Sequence, residues 1–501
     1  MRIYAPAQFY PMPDNLMAMK QWFSRPAAMA GAMRLVCLAL LTPVVNLSAQ
    51  PQSLGTVSAA FKDPDSEWKD YPTRTLDNLP GAISEKMDSG LTPYGGQLSV
   101  KSKATGFFHT TKINSRWWLV DPAGGLALHK GVAGVGPMGT AGAKAAFQAK
   151  FGTGTNWAVQ TTELLRKYGF TGVGAWSDTK ALRSVSHPLV YTRILNFMGG
   201  YGRKRGGTYT QPGHTGYPGD CIFVFDPDFE TFCYEQAQSL AADKDDPWLL
   251  GYFSDNELPF RPGSLTNYLS LPEKDPGHQA ALAWLRTHHG EKATVRDATA
   301  QDQRDFLEFM VERYFRITSN AIKKYDPNHL FLGSRFYGSD LSHPEVFRAV
   351  GRHVDVVSVN WYHAWSTDPE RLAMWERESG KPVLITEWYA KGMDSGLSNT
   401  EGAGWVVKTQ RDRGRFYENF TLGLLESKVC VGWDWFKYMD NDPAATGADP
   451  SNRDSNKGIL SNRYEPYDPL LEAMKRINER TYSLVYYFDK KAVQSERPIR
   501  Y

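Results

Sequence analysis

The chain of 501 residues carries 57 Lys plus Arg against 54 Asp plus Glu, a formal net charge of +3, with 42% hydrophobic and 22% charged residues. So small a charge over this length leaves no electrostatic footprint for nucleic acid, and no stretch reaches the roughly 18 consecutive apolar residues that a membrane-spanning helix needs. The compositional excess is aromatic, with 15 Trp, 25 Tyr and 25 Phe, which supply either core packing or flat surfaces for sugar rings.

Residues 35–45, LVCLALLTPVV, form an apolar run after Arg34 and before the small and polar residues Asn46 to Gln50. That size and order predict a secretory leader over residues 1–49 and a secreted or periplasmic mature protein. A buried core helix is the alternative, disfavoured by Pro43 within the run. Losing the leader removes Cys37 and leaves Cys221, Cys233 and Cys430 without C-x-x-C spacing, so at most one bridge is compatible, Cys221 with Cys233 being the candidate.

Residues 50–104 are turn-rich and read as a segment wrapping the domain that follows. From about residue 105, GFFHTTKI and RWWLVD form a predicted hairpin with Asn114 and Ser115 at its turn. Eight apolar strand candidates follow, at 126–135, 170–176, 190–197, 248–257, 329–336, 354–362, 381–389 and 430–436. Helical patterns lie between them at Thr161–Tyr168, Phe229–Ala242, Gln303–Tyr325 and Trp405–Leu425, and another closes the series at Asp468–Asn478. Near-continuous apolar strands alternating with helices imply an α/β fold with a parallel sheet buried on both faces. Eight such units predict a (β/α)8 TIM barrel with an N-terminal β-hairpin extension, spanning 105–482 and leaving 483–501 as a tail. A doubly wound open sheet is the structural alternative, but Gly131 to Gly136, GVAGVG, does not fit G-x-G-x-x-G and no Walker pattern occurs.

In such a barrel, polar residues at the C-terminal ends of strands face the active site. The fourth strand ends Ser254, Asp255, Asn256, Glu257, and the seventh ends Thr386, Glu387, Trp388. A carboxylate directly after an apolar run is costly unless it is paired, hydrogen-bonded or functional. Strands four and seven lie on opposite sides of the mouth, so Glu257 and Glu387 can approach across it, as retaining glycoside hydrolysis requires of its two carboxyls. Asn256 offers an amide for a sugar 2-hydroxyl, and the Tyr362 phenol, ending strand six, is placed to orient Glu387. Trp433 and Trp435 point to one side of strand eight, either flooring a sugar ring or packing on the outer helices. Trp361, Tyr362, Trp388, Tyr389, Trp433 and Trp435 together form a candidate sugar-binding wall, with His363 a further candidate contact. After strand three, GGYGRKRGG at 199–207 reads as a basic loop whose Arg203, Lys204 and Arg205 could hold sulfate or uronate groups, or simply form a solvated turn.

These residues resemble a known group. DPWLLGYFSDNELPF at 246–260 is similar to the acid/base strand of retaining (β/α)8 glycosidases, and its Asp-Asn-Glu looks like the β-agarase type. Flanking segments match in order: RWWLVDPAGGLALHKGVAGV, LLRKYGFTGVGAWSD, VFDPDFE, VDVVSVNWY, KPVLITEWYAKG, VGWDWFKYMDND and NKGILSNRYEPYDPLLEAMKRIN. The resemblance covers about residues 107–482. It implies Glu257 as general acid/base, Glu387 as nucleophile, no cofactor or metal, and a β-linked galactan polysaccharide or oligosaccharide such as agarose as substrate. The chain departs from many agarases of this type in being shorter, and its basic 199–207 run is not part of the family pattern.

Three rivals are weaker. A metal-dependent barrel hydrolase needs clustered ligands, yet the 11 His residues offer only the adjacent His288 and His289 and the isolated His363. A Ser hydrolase needs G-x-S-x-G, which is absent. A catalytically dead sugar-binding barrel has no reason to keep both Glu residues. The nearest competitor keeps the mechanism but changes the glycan to a mannan, glucan or glucuronide. Nothing in the sequence speaks to oligomeric state.

Overall fold

The computed structural model describes residues 55–81, 88, 90–446 and 449–492, all within one compact unit. The expected leader lies outside the described residues. Eight parallel strands form the central sheet: β1 (His129–Val132), β2 (Gly172–Val173), β3 (Val190–Ile194), β4 (Leu249–Phe253), β5 (Leu330–Phe331), β6 (Val357–Asn360), β7 (Val383–Glu387) and β8 (Cys430–Trp435). Their order is β5-β4-β3-β2-β1-β8-β7-β6. A parallel bridge from Phe336 to Val359 closes β5 onto β6, supported by Phe336 N–H donating to the Ser358 carbonyl at 3.0 Å and Asn360 N–H to the Phe336 carbonyl at 2.9 Å. The sheet is therefore the expected (β/α)8 barrel. The β4 run LLGYF is buried throughout, as a strand covered by side chains inside and helices outside must be.

The hairpin is where the sequence places it. His109–Ile113 pairs antiparallel with Arg116–Val120, and Asn114 and Ser115 take φ values of 48° and 66°, the left-handed pair that matches strand twist in a two-residue turn. Trp117 N–H donates to the Lys428 carbonyl at 2.8 Å, just before β8 begins, so the hairpin covers the end of the barrel opposite the strand C-termini. The long outer helix Ala300–Tyr325 starts at a capping box in which the Thr299 hydroxyl accepts from Asp302 N–H and the Asp302 carboxylate accepts from Thr299 N–H.

Three expectations need correction. The helical pattern at Trp405–Leu425 begins only at Gln410, capped by Thr409, and Trp405–Val407 is a strand. That strand lies beside Ala390–Gly392 and Gly55–Ala60, and Trp68–Thr73 completes a four-stranded sheet against the loops that follow β7. The β-branched Val406 and Val407 suit this pairing. The glycine-rich 199–207 run is not a loop: Phe197–Arg205 is a helix. Its low propensity is offset from outside, because the buried Asp255 carboxylate just past β4 accepts the N–H groups of Met198 at 2.8 Å and Gly199 at 3.1 Å. Finally, Cys221 and Cys233 do not pair. They and Cys430 are free and buried, Cys221 in a turn after Asp220 and Cys233 in the helix Phe229–Ala237.

Candidate active site

A cavity of about 400 Å³ opens at the C-terminal ends of the barrel strands, and both Glu257 and Glu387 line it. Glu387 is the last residue of β7. Its Oε2 accepts the Tyr362 phenol at 2.7 Å, and its Oε1 accepts an Nη2–H of Arg335, a fully buried side chain that follows β5. Arg335 also donates through Nε to the Asn256 Oδ1 at 2.7 Å. Asn360, ending β6, donates its amide to Glu257 Oε1 at 2.7 Å and takes the Thr386 hydroxyl on its own carbonyl at 2.8 Å. One hydrogen-bonded web thus joins β4, β5, β6 and β7.

The two carboxyls differ in their partners. Both oxygens of Glu387 face donors, which is the environment of an ionised acceptor. Only Oε1 of Glu257 has a hydrogen-bond donor; Oε2 lies 3.5 Å from His214 Nδ1, which makes no hydrogen bond. Burial pushes the Glu387 carboxyl above the usual carboxylate range and the Glu257 charge adds to this, whereas Arg335 and Tyr362 pull it back. Burial and the neighbouring Glu387 charge raise the Tyr362 phenol well above its ordinary value, so it stays a donor.

Backbone strain gathers at this mouth. Trp176, Glu257 and Arg335 all adopt left-handed φ, at 66°, 52° and 57°. Each costs on the order of 1–3 kcal/mol for a residue other than glycine, and such outliers cluster where geometry serves function.

The structure divides the expected binding residues. Asn256, Tyr362 and Tyr389 line the cavity. Because Asn256 Oδ1 is taken by Arg335, its amide N–H groups remain for a ligand. Trp361, Trp388, Trp433 and Trp435 do not reach it; all four are buried core residues. Trp388 stacks on Phe420, Trp433 donates to the Tyr417 hydroxyl at 2.8 Å, and both partners belong to the outer helix Gln410–Glu426. Replacing Trp433 with Ala is expected to cost about 3–5 kcal/mol in urea unfolding while leaving KM unchanged, the reverse of what loss of a sugar platform would do. His363 is exposed and sits edge-on to Phe61 and Tyr337 at the rim. Arg203 and Lys204 are exposed on the helix after β3, and Arg205 is committed to Asp226 and Asp275; none of them lines the cavity.

Sequence reasoning overlooked Arg335, Asn360, Trp176, Tyr337, His214 and Lys437. Trp176, 45% exposed at the end of β2, is the wall's accessible tryptophan and the natural stacking surface. Among the described residues no group of three or more His, Cys, Asp or Glu is arranged to hold a metal ion.

Comparison with known proteins places the chain as a whole. No family model matches the chain. The crystal structure of BpGH50 superposes with a TM-score of 0.76 at 31% sequence identity, covering 87% of this chain and 96% of that one. The chain belongs to the GH50 family. GH50 membership agrees with the sequence relatives: β-agarase B of Vibrio sp. (strain JT0107) is 28% identical over 532 residues, 84% of this chain and 54% of the relative. β-agarase A of the same strain is 26% identical over 370 residues, 64% of this chain and 36% of the relative. This GH50 chain therefore spans about half the length of the first curated relative and about a third of the second. The agarase AgWH50C shares the fold, with a TM-score of 0.66 at 24% identity over 81% of this chain and 68% of its own.

Proposed function

We propose that this GH50 protein is a retaining glycoside hydrolase that cleaves β-glycosidic bonds of an agarose-like galactan. The observation that carries the reading is the pair of glutamates at the ends of β4 and β7, facing one cavity with complementary hydrogen-bond sets. The β-agarase relatives support the galactan. In the first step the Glu387 carboxylate attacks the anomeric carbon while Glu257 gives its proton to the departing glycosidic oxygen, so that a glycosyl ester forms as the C–O bond breaks. In the second, Glu257 takes a proton from water, the water oxygen attacks the same carbon, and Glu387 leaves as carboxylate. Two inversions retain the β configuration, which needs carboxyls about 5–5.5 Å apart. Tyr362 and Arg335 hold the nucleophile, and Asn256 meets the 2-hydroxyl. We place catalysis in residues 105–482, and the apolar run at 35–45 supports export to where such polysaccharides lie. No helix among the described residues is long and apolar enough to cross a membrane.

The test is hydrolysis of agarose oligosaccharides followed by NMR from the first minutes. New reducing ends should appear as the β anomer and mutarotate afterwards. The α anomer appearing first would overturn the double displacement, and no release from agarose would overturn the substrate.

A further inference from the structure

Lys437 and Lys457 line the cavity and Arg335 stands behind Glu387; two of these three basic side chains are spent. Arg335 is committed to Asn256 and Glu387. Lys457 donates to the Ser451 carbonyl and to Asn452 Oδ1, and its ammonium lies 5.1 Å from the centre of the Tyr389 ring. Lys437 is different. It stands one residue beyond Phe436, just past β8, half-buried against the same cavity; among the described residues its ammonium has no hydrogen-bond or ion-pair partner.

The charged groups that face it are Glu387, Asp440 and Lys457. Glu387 is occupied by Arg335 and Tyr362. Asp440 accepts from the Asn456 amide, Gly458 N–H and the Tyr467 hydroxyl, and Lys457, itself a donor, offers no acceptor. Burial lowers the Lys437 ammonium to about 8, which leaves it charged at neutral pH. A desolvated cation without a partner is costly, and proteins ordinarily pair one. Here both carboxylates that face it are already engaged, so the open position is on the ligand side.

We infer that Lys437 forms a subsite for an anionic substituent, a sulfate ester or a uronate carboxylate, on a sugar bound beside β8. The inference rests on the cavity being the hydrolase site. It moves the anion contact expected of Arg203 and Arg205 to a residue that lines the cavity. A lysine presents a point charge, which does not by itself choose between tetrahedral and planar anions.

Three ligands separate the cases: a neutral β-galactan tetrasaccharide, its monosulfate, and a counterpart with one galactose oxidised to the uronate. For the unaltered protein, kcat/KM is expected to favour at least one anionic ligand over the neutral one by about tenfold or more, the scale of one charge-assisted contact. Lys437→Met should collapse that ratio and Lys437→Arg should keep it. The preference should fade as pH rises through about 8 in the unaltered protein but persist in Lys437→Arg. Whichever anion is favoured identifies the substituent. Ratios unchanged by Lys437→Met, including the case where all three ligands slow together, would overturn the inference. Calorimetric titration of the same ligands keeps this independent of catalysis. If nothing is hydrolysed, the hydrolase reading fails, and the anion subsite stands or falls on whether tighter anionic binding is lost in Lys437→Met.

Discussion

Replacing Glu387 with Gly is expected to lower turnover by about 10⁴-fold or more, because loss of a covalent nucleophile removes the pathway rather than one contact within it. Azide separates this role from that of Glu257. In the Glu387→Gly protein azide can enter the space left by the carboxylate and displace the aglycone directly, giving a glycosyl azide of inverted, α configuration. In Glu257→Ala the glycosyl ester still forms from substrates with good leaving groups, and azide then attacks it to give the β azide. The same product anomer from both variants would refute the assignment of Glu387 and Glu257. Substrates with good leaving groups should also rescue the first step only in Glu257→Ala, since only that variant lacks the proton donor.

Arg335→Met should produce the next largest effect, a fall in kcat/KM of about 10²–10³-fold, since it removes one preorganised donor from the nucleophile and frees Asn256. Its pH signature follows from sign. Burial raises Glu387 and Arg335 opposes the rise; without the guanidinium the carboxyl moves higher still. As the proposed nucleophile, Glu387 must be ionised, so the acid limb of kcat/KM should shift to higher pH. A carboxyl raised in the folded state contributes stability below its unfolded pKa, and that contribution is lost as pH rises through the folded value. The variant should therefore lose about 3–5 kcal/mol near neutrality, where a buried charge has been left unpaired, and less near pH 4. Urea unfolding at the two pH values reads this directly. Equal losses would mean that Arg335 matters through packing alone. Lys at this position should restore little, because a single ammonium cannot reproduce the two fork directions that meet Asn256 and Glu387.

The barrel and its glutamates were legible because they are written as contrast. β4 and β7 are unbroken apolar runs that end in a carboxylate, and the pattern survives any uncertainty about exact strand limits. Arg335 follows the same rule at the end of β5, yet one cation after an apolar strand reads as an ordinary rim residue until Glu387 is seen against it. The tryptophans fail for a different reason. A two-residue period says that Trp433 and Trp435 share a side, not which side. Asp434 between them holds the answer: it faces the barrel interior, where His129 meets its carboxylate at 2.9 Å, so both indoles turn outward to the helices. The helix at Phe197–Arg205 was hidden because its support comes from Asp255, more than fifty residues away, and local propensity cannot register a carboxylate from another strand.

The small sheet outside the barrel has a consequence for timing. Gly55–Ala60 is hydrogen-bonded on one side to Trp68–Thr73 and on the other to Trp405–Val407, which in turn holds Ala390–Gly392, the stretch three residues beyond Glu387. A chain emerging from its N-terminus makes the first of these partners at once and waits for nearly the entire barrel before the second arrives. Until then Gly55–Ala60 presents an open edge, and the segment that follows Glu387 has nothing to lean on. Recovery of activity during refolding should lag behind recovery of helix signal, because this pairing between distant segments, which braces the stretch beyond Glu387, forms more slowly than local helices.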